Sequence, residues 1–157
     1  MNPDFSEMLS AFSAEGVEYL LVGAYALAVH GLPRATGDLD LWVGTAGDNP
    51  KRVRRALERF GAPLDQLSRR GLAQRDVVYE IGVAPLRIDV MTSIDGVEFA
   101  RAWGRRMDTK LESLTVHVIS RDDLIRNKKA AGRPQDLADV AWLEGRQDEP
   151  NVPPRDR

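Results

Sequence analysis

Apolar residues recur along the first fifteen positions at the spacing of one helical face. Phe5, Met8, Leu9 and Phe12 stand at i, i+3, i+4 and i+7, and Gly16 sits where a chain leaves a helix, so a helix is predicted over 3–15. Residues 17–22 are apolar, partly β-branched and few, which predicts a buried strand. Gly23 breaks that run, and the Ala-rich stretch 24–30 predicts a short helix closed by Gly31, with Pro33 just beyond. After a turn over 34–37, acidic and apolar residues alternate from 38 to 43, the period of a second strand.

Asn49 is an N-cap candidate followed by Pro50 at a first helical position, and Val53, Ala56, Leu57 and Phe60 form the apolar stripe that ends at Gly61. Lys51, Arg52, Arg54, Arg55 and Arg59 cover the other faces of this helix. They read as a solvated surface, the alternative being a patch that meets an anionic substrate. Residues 62–76 predict a loop or short helix. Residues 77–83 and 86–91 predict strands joined by a hairpin or bend at Ala84-Pro85, 97–103 a helix and 114–119 a strand. Ser120-Arg121-Asp122-Asp123 resembles a capping box with Asp in place of Glu and opens a helix to about residue 131. Gly132-Arg133-Pro134 punctuates, and 135–143 predicts a last helix with Leu137, Val140 and Ala141 inward. Beyond Gly145 the chain is polar and contains Pro, which predicts a disordered tail. The order of elements predicts an α/β (α+β) fold: a small mixed sheet of four or five strands, helices mainly on one face and a C-terminal helical pair over an edge. Residues 1–144 are expected to form one domain and 145–157 the tail.

Composition narrows the chemistry. The 157 residues are 43% hydrophobic, enough for a core, and hold no long apolar run or basic-then-apolar start, so a cytoplasmic protein without a membrane span is expected. There is no Cys, and the only histidines are His30 and His117, which removes disulfides, thiol catalysis and Cys/His zinc sites. Any metal must be held by oxygen. A net charge of -2 argues against nonspecific coating of nucleic acid and leaves a local basic face open. Trp42, Trp103 and Trp142 are too widely spaced for a stacking platform and read as core or half-buried anchors, and His30 reads as a packing or capping residue rather than a general base.

Two carboxylates one residue apart on a strand point the same way, so Asp38 and Asp40 project to one face, about 7 Å apart at Cα, while Leu39 and Leu41 face the core. Alternation in Arg87-Ile88-Asp89-Val90-Met91 puts Ile88 and Val90 inward and Asp89 outward. Composition alone yields roughly one Asp-x-Asp pair by chance, so the pair gains meaning only from its context. If the two strands are neighbours, three carboxylates converge, and close-set acids suit divalent cations such as magnesium better than a structural role. Gly23 lies between strand and helix, where a missing Cβ lets a phosphate approach the backbone or, more plainly, allows a tight turn.

Gly23, Asp38, Asp40 and Asp89 resemble, in order and in expected secondary structure, the minimal nucleotidyltransferase superfamily. The phrase from Val22-Gly23-Ala24 through Gly31, Arg34, Thr36, Asp38 and Asp40 is similar to the branch that contains the AbiEii-type toxin nucleotidyltransferases. The segment from Asn127-Lys128 to Arg133-Pro134-Gln135-Asp136-Leu137-Ala138-Asp139 resembles that branch's Lys-containing motif. The resemblance spans about 17–143. It implies transfer of a nucleoside monophosphate from a nucleoside triphosphate to a hydroxyl, with Mg2+ or Mn2+ held by Asp38, Asp40 and Asp89 and with Asp89 as base. It further implies triphosphate contacts from Gly23, Ala24, Arg34, Thr36 and Lys128, with Asp136 and Asp139 orienting Lys128 or Arg133. It suggests an RNA or tRNA 3′ end as acceptor and an antitoxin partner protein, while other members modify small molecules or proteins. Ala24 departs from the Ser or Gly of many relatives and loses a hydroxyl that would bond a phosphate oxygen. That departure feeds the competing expectation of a silent nucleotide-binding or interaction module.

Overall fold

The computed structural model describes residues 1–34, 37–65, 67, 71–83 and 85–145. Thr36, expected at the triphosphate, and residues 146–157, the expected tail, lie outside the described residues. In chain order the elements are α1 (Pro3–Ala14), β1 (Tyr19–Val22), α2 (Gly23–Val29), β2 (Asp38–Val43), α3 (Asn49–Phe60), β3 (Val78–Val83), β4 (Leu86–Met91), α4 (Phe99–Gly104), β5 (Met107–Leu111), β6 (Leu114–Val118), α5 (Arg121–Ala131) and α6 (Pro134–Gly145). A single 3₁₀ turn, Gly71–Ala73, interrupts the segment before β3.

Local sequence explains most of these boundaries. The Asn2 side chain accepts a 2.7 Å hydrogen bond from the Asp4 amide, Pro3 starts α1, and Phe5, Met8, Leu9 and Phe12 are its buried stripe. Ser120 caps α5 as the capping-box pattern predicts, taking the Asp123 amide at 3.2 Å. The Asp123 carboxylate, however, is turned to the Ser120 hydroxyl, Arg105 and Arg126. Asn49 does not cap α3. Asp48 holds that position, and the buried Asn49 amide joins two strands by accepting from the Glu18 amide at 2.8 Å and donating to the carbonyls of Glu18 and Gly44 at 2.9 and 2.7 Å.

The strands form one mixed sheet in the order β3-β4-β2-β1-β6-β5. β1 runs antiparallel to β2, and β2 runs parallel to β4. The outer pairs β3–β4 and β5–β6 are antiparallel hairpins, and β1 joins β6 in parallel. This is one strand more than expected. The extra strand, β5, lies at an edge, and most of its residues are exposed or half-buried, so it carries no apolar alternation to announce it.

All four residues of β1 are buried, which means that the middle of the sheet is covered on both faces. Leu20, Leu21, Leu39, Leu41 and Val43 are completely buried there. α1 packs with α3, and α5 with α6, the expected C-terminal helical pair. Phe99 of α4 meets Trp42 edge-on, so this helix lies on the side of β2 that also carries Asp38 and Asp40. The histidine at residue 30 does pack and cap: its Nε2 lies 2.8 Å from the Ile119 carbonyl oxygen, and burial lowers its pKa. Among the described residues no helix is long and apolar enough to cross a membrane.

Candidate active site

Parallel pairing of β2 with β4 brings the acidic residues together. Asp40 is the direct register partner of Asp89, and Asp38 is the partner of Arg87. Since all four stand at alternating positions of neighbouring strands, they share one face of the sheet. Sequence alternation places each acid on its own strand's outward face. The register, joining residues some fifty positions apart, assembles them.

The three carboxylates are not equivalent. Asp89 is buried and takes a two-pronged pair from Arg87, Nε to Oδ1 at 2.9 Å and Nη2 to Oδ2 at 3.0 Å. The same Nη2 lies 3.7 Å from Asp38 Oδ2. Asp40 is half-buried and forms no ion pair among the described residues. Burial first, then the charges of Asp89 and Asp38, push its carboxyl up to about 7, and Arg87 offsets this only weakly. Three oxygen-donating acids, with one described guanidinium among them, are a donor set that suits a hard divalent cation. Among the described residues no three His, Cys, Asp or Glu side chains are already drawn close enough to chelate one ion, and both oxygens of Asp89 are engaged by Arg87.

Gly23 begins α2 against this cluster. Its φ of +68° belongs to the left-handed region, and a Cβ there would lie 2.1 Å from Asp40 Oδ2. Glycine is thus required both by the turn and by the close approach of the Asp40 carboxylate.

A cleft of about 300 Å³ opens beside Gly23 and Asp40. Met91, Ser93, Ile94 and Asp95 from the end of β4 and the following turn form one wall, and Asn127, Lys128, Ala131, Arg133 and Asp136 form the other. Lys128, which the family resemblance would have at the triphosphate, lines the same cleft as Asp40, and it does so already paired. Its Nζ lies 3.0 Å from Asp139 Oδ2 and 3.3 Å from Asp136 Oδ1. Arg133 also grips Asp136, with Nε 2.6 Å from Oδ2. Arg34 pairs with Asp139, with contacts of 2.5 and 3.1 Å to its two oxygens. Neither Arg34 nor Ala24 lines the cleft.

Burial works to raise the Asp139 carboxyl, but hydrogen bonds from Arg34, Lys128 and Gln135 and the Lys128 charge overturn it and hold the pKa at about 2. Asp136 is also lowered, first by Arg133. Sequence reasoning missed Arg87 as a member of the acidic face, although its place two residues before Asp89 on a strand was the available signal. It also missed Met91, which follows Asp89 by two on the same strand, and Ser93, Ile94, Asp95 and Asn127, whose positions in a turn and on a helix carry no such period. The side chain of Asn127 donates to the Asp95 carbonyl at 3.0 Å and ties the two walls together.

A family model described as a nucleotidyltransferase of unknown function (DUF6036) matches residues 5–144. Among solved structures, a candidate nucleotidyltransferase from Thermotoga maritima is 12% identical, with a TM-score of 0.61 over 90% of this chain and 91% of that one. An antigenic nucleotidyltransferase-like protein from Paracoccidioides brasiliensis is 13% identical, with a TM-score of 0.52 over 89% of this chain and 74% of that one. Both show a shared fold. No curated protein matches the sequence.

Proposed function

Because the chain belongs to this DUF6036 family of nucleotidyltransferases, we propose that it moves a nucleoside monophosphate from a nucleoside triphosphate to an acceptor hydroxyl and releases pyrophosphate, with Asp38, Asp40 and Asp89 as the reacting centre. The observation that carries the reading is the register of Asp40 against Asp89 at the mouth of a cleft whose far wall bears Lys128 and Arg133.

Asp38 and Asp40, completed by Asp89, would hold Mg2+ or Mn2+, which supplies Lewis-acid neutralisation of the phosphate oxygens when bound. The chain's own groups do the rest. Gly23 keeps the backbone clear of the phosphates and of Asp40. Lys128 presents its ammonium to the triphosphate from the opposite wall, and Asp136 and Asp139 orient it. The acceptor oxygen attacks the α-phosphorus, the bond to the β-phosphate bridging oxygen breaks, and the acceptor proton passes to the Asp89 carboxylate. Catalysis of this kind rests on positioning and charge complementarity.

Incubation with labelled nucleoside triphosphates, magnesium and a panel of total RNA, tRNA, aminoglycosides and the protein itself tests this reading and its acceptor together. Label transfer that disappears in Asp40→Ala is expected. Transfer to tRNA would support an acceptor of the AbiEii type, for which an antitoxin partner follows as the next question. No transfer to any acceptor, or transfer indifferent to Asp40→Ala, overturns the reading. Nucleotide binding without turnover, unchanged by Asp38→Ala in calorimetry, identifies a silent module instead.

A further inference from the structure

The one cation inside the acidic face among the described residues, Arg87, has no part in the chemistry above, yet it occupies the electron pairs that a metal would need. Its fork geometry matches a carboxylate, and both oxygens of Asp89 are taken by it in the bidentate manner that makes such pairs strong and directional. It also reaches toward Asp38, so one guanidinium spans two of the three acids. Asp40, the third, is the least compensated.

Arg87 is also free to leave. Its side chain is one-third exposed, whereas that of Asp89 is 9% exposed, so withdrawal moves the cation into water and keeps the acid in place. Toward the sheet edge the register partner of Arg87 on β3 is Gly82, which sets no side chain against it. Two positions along the same pairing, on the same face, Glu80 stands exposed opposite Asp89, a carboxylate beside which a displaced guanidinium can rest.

We propose that Arg87 is a resident counter-charge, exchanged for the divalent cation: it neutralises Asp89 and Asp38 in the unloaded protein and must release Asp89 before a metal ion binds, so that the Arg87–Asp89 pair sets the cation concentration at which the site loads. The inference rests on the reading of the three aspartates as cation ligands. It makes Arg87 a positioning residue for the metal site, and it predicts an inverted effect, since deleting a conspicuous site residue tightens ligand binding.

The test is equilibrium Mn2+ binding without nucleotide, followed by electron paramagnetic resonance of the free ion, for the wild-type chain, Arg87→Gln and Arg87→Lys. Arg87→Gln is expected to bind Mn2+ about tenfold or more tightly than wild type, because the competing bidentate pair is gone. Arg87→Lys keeps the charge without the fork and should fall between the two. A second measurement needs no variant: the Arg87 Nε–H resonance, held by Asp89, should shift and lose its exchange protection as Mg2+ is titrated into the wild-type protein.

Equal or weaker Mn2+ binding by Arg87→Gln, or an Arg87 resonance unchanged at saturating Mg2+, overturns the exchange and leaves the nucleotidyl-transfer reading standing. Arg87→Lys indistinguishable from wild type while Arg87→Gln binds tighter also overturns it, in favour of distant charge alone. Mn2+ bound by none of the three proteins overturns both this inference and the reading beneath it.

Discussion

Two clusters of buried or half-buried aspartates each send one member, Asp40 and Asp136, to the lining of one cleft, and they are built on opposite principles. On β2 and β4, Asp38 and Asp89 share one guanidinium among the described residues, Asp40 pairs with none, and the Asp40 carboxyl is pushed up to about 7. On α5 and α6, Asp136 and Asp139 are shared among Lys128, Arg133 and Arg34, and both are held below the ordinary carboxylate range. Burial alone does not separate them, because Asp139 is 1% exposed and more enclosed than Asp40. The number of cations within reach does. Asp123, fully buried between Arg105 and Arg126 and likewise lowered, follows the second pattern. A carboxylate with its counter-charges in place holds a structure together; one left short of them is poised for a cation from outside.

This contrast is broken most sharply by neutralising one acid from each side. Asp40→Asn should reduce nucleotidyl transfer by about a thousandfold or more while leaving the metal-free protein at least as stable, since it removes an unbalanced charge. Rates of label transfer and denaturant midpoints in chelator check both halves. Asp139→Asn should do the reverse first and cost about 3–5 kcal/mol in denaturant unfolding, because Arg34 and Lys128 lose a shared buried partner. If Asp139→Asn proves as stable as wild type, the structural half of the comparison fails.

A smaller effect sharpens the acidic side. Gly23→Ala forces an L-residue into a left-handed conformation and drives a methyl group onto Asp40 Oδ2. It should cost about 1–2 kcal/mol of stability and weaken cation binding, read by thermal unfolding with and without Mn2+.

The gentlest test is the pH profile of stability in metal-free buffer. Asp139, with a folded pKa of about 2 against an ordinary 3.8, contributes stability that is fully present above about pH 4 and is lost as pH falls toward 2. Asp40 has the opposite sign. Its folded pKa of about 7 lies above the unfolded value, so the folded state loses stability as pH rises from about 4 through 7. Asp40→Asn should flatten the neutral limb and Asp139→Asn the acid limb. A change on the wrong limb would reverse the assignment of the two clusters.

Much of this arrangement was legible in the chain. The alternation of acid and apolar residues fixed β2 at 38–43 and β4 at 86–91, the observed bounds of both. The apolar stripes and glycine stops located α1 and α3, and the capping-box pattern with Gly132 located α5, to within a residue or so. β5 escaped because an exposed edge strand need not alternate. Asn49 was misplaced because its amide serves strands that meet only in the folded chain. Lys128 was found in the cleft, whereas Arg34 was expected at the triphosphate and is spent on Asp139.

The sequence by itself determined the kind of each main element and the face on which Asp38, Asp40 and Asp89 stand, because helix and strand periods are properties of a few consecutive peptide units. Tertiary structure alone decided that β4 lies parallel to β2 with Asp89 beside Asp40, that Arg87 closes on Asp89, and that Arg34 turns to Asp139. Those contacts join segments far apart in the chain, and they follow from how the whole core packs and where its charges find partners.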